Sequence, residues 1–224
     1  MRLVRPLTAE FLGTFGLVFA GTAVVVTDSF PGAHTGLIGI ALAHGLILAL
    51  GITATMAISG GHLNPAVTVG FLATKRIDPV TGGAYIGAQL LGGVAGSLAC
   101  HWLIPNNVGR LAMEGLPQIN ANMTFAGAVA LEAAMTFFLM TAVMGTIVNP
   151  KAPKQGGFWV GVAVMVMIIV GGPLTGAAMN PARAFGPAVI TGSWQGQMAY
   201  WLGPILGSLL AAFLWDKVLL KDDA

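Results

Sequence analysis

Two copies of one tripeptide carry the most chemistry in this sequence. Asn64-Pro65-Ala66 recurs as Asn180-Pro181-Ala182, 116 residues later. Asn is among the best helix N-cap residues and Pro is favoured at the first helical position. Each tripeptide therefore reads as a helix start. Each follows a stretch that makes poor helix, Ser59-Gly60-Gly61-His62-Leu63 and Thr175-Gly176-Ala177-Ala178-Met179. Irregular backbone at membrane depth is tolerated only inside protein or beside water. The backbone at Gly60, Gly61, His62, Gly176, Ala178 and Met179 is thus expected to line a wet path with its carbonyls. The Asn64 and Asn180 amides would donate hydrogen bonds to an oxygen passing between them. Two helix N-termini meeting there would each bring about half a positive charge, a centre that repels cations and hydronium.

Three other charged residues stand in apolar surroundings. Glu10 and Glu132 lie inside hydrophobic runs, where an ionisable group is costly and needs partners. Their matching places suit a structural carboxylate that accepts bonds from the loop amides better than a single proton-coupling site. Arg183 follows the second tripeptide and reads as a fixed cation at a constriction. His62 either fixes its loop or lines the inner vestibule, and His34 and His101 stand alone near loops. No histidine pair has metal-ligand spacing, and no nucleophile–base set, phosphate loop or dinucleotide fingerprint suggests catalysis or a cofactor.

These residues must be held by elements that the composition already constrains. Of 224 residues, 56% are hydrophobic and 8% charged, against about 25% charged in an ordinary soluble domain. The mean hydropathy is +0.83, so the lipid bilayer is the expected solvent. Ten Lys and Arg form no basic patch suited to nucleic acid. The one cysteine, Cys100, excludes an intrachain disulfide and reads as a small buried hydrophobe. Spanning-length apolar runs fall near 7–27, 36–58, 81–104, 123–148, 157–174 and 195–219. Two shorter pieces, 65–73 and 181–190, reach about half-way across a bilayer of roughly 30 Å. Gly83 with Gly87, and Gly92 with Gly96, read as helix-packing faces.

Arg2 and Arg5 precede the first run, but Glu10 within it and the recurrence of its pattern argue against a cleaved leader. Lys75 and Arg76, Lys151 and Lys154, and Lys217 and Lys221 follow the second, fourth and sixth runs. All four groups fall on one side, which the positive-inside rule makes cytoplasmic, with both termini inside. The first short piece then enters from inside and the second from outside. Glu10-Phe11-Leu12-Gly13-Thr14-Phe15 matches Glu132-Ala133-Ala134-Met135-Thr136-Phe137, and Tyr85 to Gly92 resembles Tyr200 to Gly207. Halves of three spans each must be inverted relative to one another, a transport architecture. One transmembrane domain over 1–224 is expected, its repeats at about 1–104 and 123–224 joined by a loop at 105–122. That loop, with Asn106, Asn107, Arg110 and Glu114, could cover the outer mouth.

The segments S-G-G-H-L-N-P-A-V-T at 59–68 and N-P-A-R-A-F-G-P-A at 180–188 resemble the aquaporin, or major intrinsic protein, family over essentially the whole chain. The resemblance implies an all-α membrane fold, a right-handed bundle of six tilted helices plus two half-membrane helices, usually as a homotetramer with one pore per subunit. It also implies a filter at His44, Ile168, Ala177 and Arg183. Common water channels have Phe where this chain has His44 and His where it has Ile168. The His, Ile, Ala, Arg set is more similar to plant tonoplast intrinsic proteins. Ala184 and the Tyr200-Trp201 pair lean toward the water branch, since glycerol facilitators carry Asp after the filter Arg and a Pro-aliphatic pair in the sixth helix. The expectation is a passive pore in the cell membrane for water, ammonia and other small neutral solutes, excluding protons and ions. A glycerol or urea facilitator, a coupled secondary transporter and a structural junction protein are the competing readings.

Overall fold

The structure, a computed structural model, describes residues 3–105 and 113–220. The expectations placed on Arg2, Asn106, Asn107, Arg110 and Lys221 lie outside those residues. Among the described residues the chain is all helix, with α1 Val4–Asp28, α2 Gly36–Ser59, α3 Pro65–Ala73, α4 Pro79–Leu103, α5 Phe125–Val143, α6 Gly156–Thr175, α7 Pro181–Thr191 and α8 Gln197–Leu214. Short π-helical turns, Met144–Val148 and Trp215–Leu219, extend α5 and α8. Six of these stretches are long and apolar enough to cross a membrane, and α3 and α7 are the two half-length pieces. The expected all-α fold of six spans and two half-helices is the one observed, with span ends moved by at most three residues.

Side chains are distributed as a bilayer requires. Trp102 and Leu50 are 78% and 63% exposed on the outside, while Glu10, Gln89 and Glu132 are fully buried inside. The packing repeats with the sequence. Helix α1 packs along α4, α5 along α8, and α2 meets α6 between the halves, while α3 lies on α8 and α7 on α4. Small residues set these distances. A Cβ on Gly96 would lie 2.6 Å from the Phe15 carbonyl, and one on Gly203 would lie 2.7 Å from that of Val129. The reading of Gly83 and Gly87 as a packing face does not hold within the chain. Both are exposed and meet nothing.

Capping follows the sequence. Asp78 Oδ1 accepts from the Thr81 N–H at 3.0 Å and Thr124 Oγ1 from Gly127 at 3.0 Å, starting α4 and α5. Arg76 reaches Asp216 at 2.9 Å, which brings the connection after α3 to the end of α8.

Candidate pore and selectivity filter

The two half-helices meet tip to tip, and their caps interlock. Asn64 Oδ1 accepts from the Ala66 N–H at 2.8 Å, and Asn180 Oδ1 from Ala182 at 3.0 Å. Each amide nitrogen crosses to the other half. Asn64 Nδ2 donates to the Met179 carbonyl and Asn180 Nδ2 to that of Leu63, both at 2.9 Å. An amide carries two N–H groups, so each asparagine keeps one for the cavity that both border.

The loops ahead of these caps share one backbone. Gly60 and Gly176 are left-handed, with φ of 90° and 75°, and end α2 and α6. Leu63 and Met179 are left-handed as well, at 50° each. That conformation is costly for residues with a Cβ, so something must hold it. In the first half, Glu10 Oε1 accepts from Ser59 Oγ at 2.6 Å and the His62 N–H at 3.0 Å. Its Oε2 accepts from the Leu63 N–H and Gln89 Nε2, both at 2.7 Å. In the second half, Glu132 accepts from Thr175 Oγ1 at 2.7 Å, the Ala178 N–H at 3.0 Å and the Met179 N–H at 2.8 Å. Every partner is a donor, matching a carboxylate that only accepts. Neither carboxylate borders the cavity.

Several of these partners escaped the sequence reading. In the sequence Ser59 and Thr175 read only as the edges of their loops. Tyr85 and Tyr200 stand out in the sequence as a repeat, and Tyr200 as part of the sixth-helix pair, but not as loop supports, yet their hydroxyls donate to the Ser59 and Thr175 carbonyls at 2.9 and 2.8 Å. Their matched positions were the available signal. Gln89 had none, because its counterpart in the second half is Pro204.

A cavity of about 30 Å³ runs past both asparagines, room for about two water molecules at roughly 10–15 Å³ each. Its walls are mostly aliphatic, with polar groups from the loop backbone at Gly60, Gly61, His62, Ala177 and Ala178, and from His44, Asn64, Asn180 and Arg183. His62 sits at the cavity wall and is held by neighbours. It borders the cavity and its Nδ1 lies 3.1 Å from Thr68 Oγ1, with its ring over Phe71 at 4.4 Å.

Beyond Ala177 the cavity opens into a mouth of about 560 Å³ lined by residues 115–121. His44, Ile168 and Arg183 border both spaces, so they stand at the join. Ala177 borders the inner one alone. His44 Nδ1 donates to the Ile40 carbonyl at 2.9 Å. That fixes the tautomer and leaves Nε2 as an acceptor, 3.4 Å from Arg183 Nη2. Arg183 Nη1 donates to the Gly115 carbonyl at 2.9 Å. No carboxylate pairs with Arg183 among the described residues, so its charge stays uncompensated by ion pairing at the join.

Comparison with known proteins agrees with this fold. The profile of the family described as "Major intrinsic protein" matches residues 1–215. "Aquaporin TIP4-4" of Zea mays is 38% identical over 228 residues, covering 98% of this chain and 88% of that protein. "Nodulin-26" of Glycine max is 37% identical over 221 residues, covering 98% and 79%. The solved aquaglyceroporin from Plasmodium falciparum superposes with a TM-score of 0.87 at 26% identity, over 99% of this chain and all of that one. With two interlocked half-helices inside six spans, the chain belongs to the major intrinsic protein family and is an integral, multi-pass membrane protein, a passive channel for water or small solutes and not an enzyme.

Proposed function

We propose that this channel passes water and ammonia, and excludes protons and ions, through a filter formed by His44, Ile168, Ala177 and Arg183. The observation that carries the reading is that, among the described residues, only His44, Ile168 and Arg183 border both the narrow cavity and the wide mouth. Arg183 supplies donors and a fixed positive charge there, and His44 Nε2 offers an acceptor. Ile168 makes the opposite wall apolar, which suits a neutral solute that sheds part of its hydration. Cations meet Arg183 first and then the two helix N-termini at the asparagines. The remaining N–H of each amide orients a water oxygen and breaks the relay a proton would follow. Glu10 and Glu132 act as loop supports, since each holds the backbone behind the pore wall without touching the cavity.

A glycerol or urea facilitator is the second reading, and the likeness to an aquaglyceroporin favours it. Against it stand the cavity of about 30 Å³ and the buried Ala184 where facilitators carry Asp. Stopped-flow flux in proteoliposomes decides, comparing water, ammonia and glycerol. Water and ammonia should exceed empty vesicles and glycerol should not. His44→Phe should lower ammonia flux while water flux persists; unchanged ammonia flux would refute the filter assignment.

The same reading places both termini in the cytoplasm and expects a homotetramer in the cell membrane. The Arg76–Asp216 contact, which groups basic ends of the bundle, supports the topology. The exposed Gly83 and Gly87 suit contact with a second copy. Cross-linking in native membranes tests the tetramer. Fractionation tests the cell membrane against an internal one, to which the TIP names of the relatives point.

A further inference from the structure

The Arg183 guanidinium is held on one side by a carbonyl from a turn with an anchor of its own. The turn Met113–Gly115 has two successive left-handed residues, Glu114 at φ 49° and Gly115 at φ 70°. Gly115 presses on α1 so closely that a Cβ there would lie 2.6 Å from the Thr22 Cα. Its carbonyl accepts from Arg183 Nη1 at 2.9 Å. Beside His44 Nε2, it is the guanidinium's one protein acceptor among the described residues. Glu114 strains the turn by its conformation yet ties it down by its side chain. Its Oε1 lies 2.9 Å from His101 Nδ1, in the last turn of α4. Its side chain is 12% exposed, and its Oε2 is buried without a partner. A left-handed residue that carries a Cβ persists only where its surroundings hold it, and the His101 bond is the side-chain contact that does so here.

We propose that Glu114, anchored by His101, is a positioning residue for the filter: it fixes the Gly115 carbonyl and through it the direction in which Arg183 presents its donors. Glu114 acts through the backbone, since it has no bond to Arg183 itself. The proposal rests on the filter reading given above. It assigns a role to a side-chain pair 13 residues apart that lies outside the pore wall.

The test is the ammonia-to-water permeability ratio of purified channel in proteoliposomes, measured at equal incorporated protein. Glu114→Ala and His101→Phe should each shift the ratio by about twofold or more, in the same direction, and the double variant should shift it no further. Glu114→Gln, which keeps an acceptor for the His101 N–H, should retain the wild-type ratio. Loss of folding alone would lower the amount of active channel and leave the ratio unmoved. If the alanine variant does not reconstitute, His101→Phe against His101→Asn, which keeps a donor, makes the same comparison. Unchanged ratios in the single variants, or additive shifts in the double one, overturn the proposal. Arg183→Val separates the two levels. If it moves the ratio and the Glu114 variants do not, only this inference fails; if it too leaves the ratio unmoved, the filter reading fails with it.

Discussion

The two pore loops are built on one backbone and do different work. Both leave their helix through a left-handed glycine, both hold a left-handed residue before the asparagine, and both hang on a buried glutamate from the first helix of their half. The differences are in side chains. Gly61, His62 and Val67 of the first loop and half-helix stand where the second has Ala177, Ala178 and Arg183. The inner side thus receives a polar cluster of His62, Thr68 and Gln89, and the outer side receives the Arg183 guanidinium. Symmetric scaffolding with asymmetric side chains lets one geometry present a polar cluster on one face and a cation on the other.

That comparison can be broken most severely at the glutamates. Glu10→Ala removes the acceptor of four donors, three of them buried, and Glu132→Ala that of three buried ones, at about 1–3 kcal/mol for each buried donor left unpaired. Both should abolish most folded channel in detergent, and Glu10→Ala should do so at the lower temperature. A lower melting point for Glu132→Ala would mean that the loops are not supported alike. Next in size, Arg183→Val gives the second half-helix the residue of the first. Cation conductance should rise about tenfold, the loss of a like-charge repulsion of about 1.4 kcal/mol, while osmotic water flux continues. Planar-bilayer recording checks this, and no rise would remove Arg183 from the ion barrier.

A smaller effect is expected from Gly61→Ala, which copies the second loop into the first. At Gly61, φ is 64° and a Cβ would lie 3.1 Å from Thr55 Oγ1 and 3.2 Å from the Ile52 carbonyl. A cost of about 1–2 kcal/mol follows from the left-handed backbone alone, read as a lowered melting point. Unchanged stability would show that the first loop has as much room as the second. The smallest effect concerns Asp78, an exposed cap. Hydrogen bonds from Thr81 hold its carboxyl below the ordinary aspartate range. A depressed carboxyl stabilises α4 above its unfolded value and loses that contribution as pH falls through the folded one. Asp78→Ala should therefore lower the melting point slightly at neutral pH and not at all in strong acid.

Much of this was legible because it is local. The half-helices announce themselves by Asn-Pro, where cap and first-turn chemistry coincide, and the spans by hydropathy over some twenty residues. His44, Ile168 and Ala177 came from resemblance rather than from any pattern in the chain. Gln89, Ser59, Thr175 and Gly115 could not be found, because each acts through a contact that only the folded bundle creates. Gly83 and Gly87 failed for the opposite reason: small-residue spacing says that a helix can be approached closely, not that this chain does so.

The crossed asparagine bonds also bear on how the protein is made. Met179 follows Asn64 by 115 residues, so at roughly 5–20 residues per second the Asn64 amide is synthesised on the order of ten seconds before its acceptor. Neither half can complete its own centre. The throat is finished only when the late half inserts against the early one, which makes channel opening the last event of biogenesis and leaves a truncated first half with polar groups it has no means to satisfy.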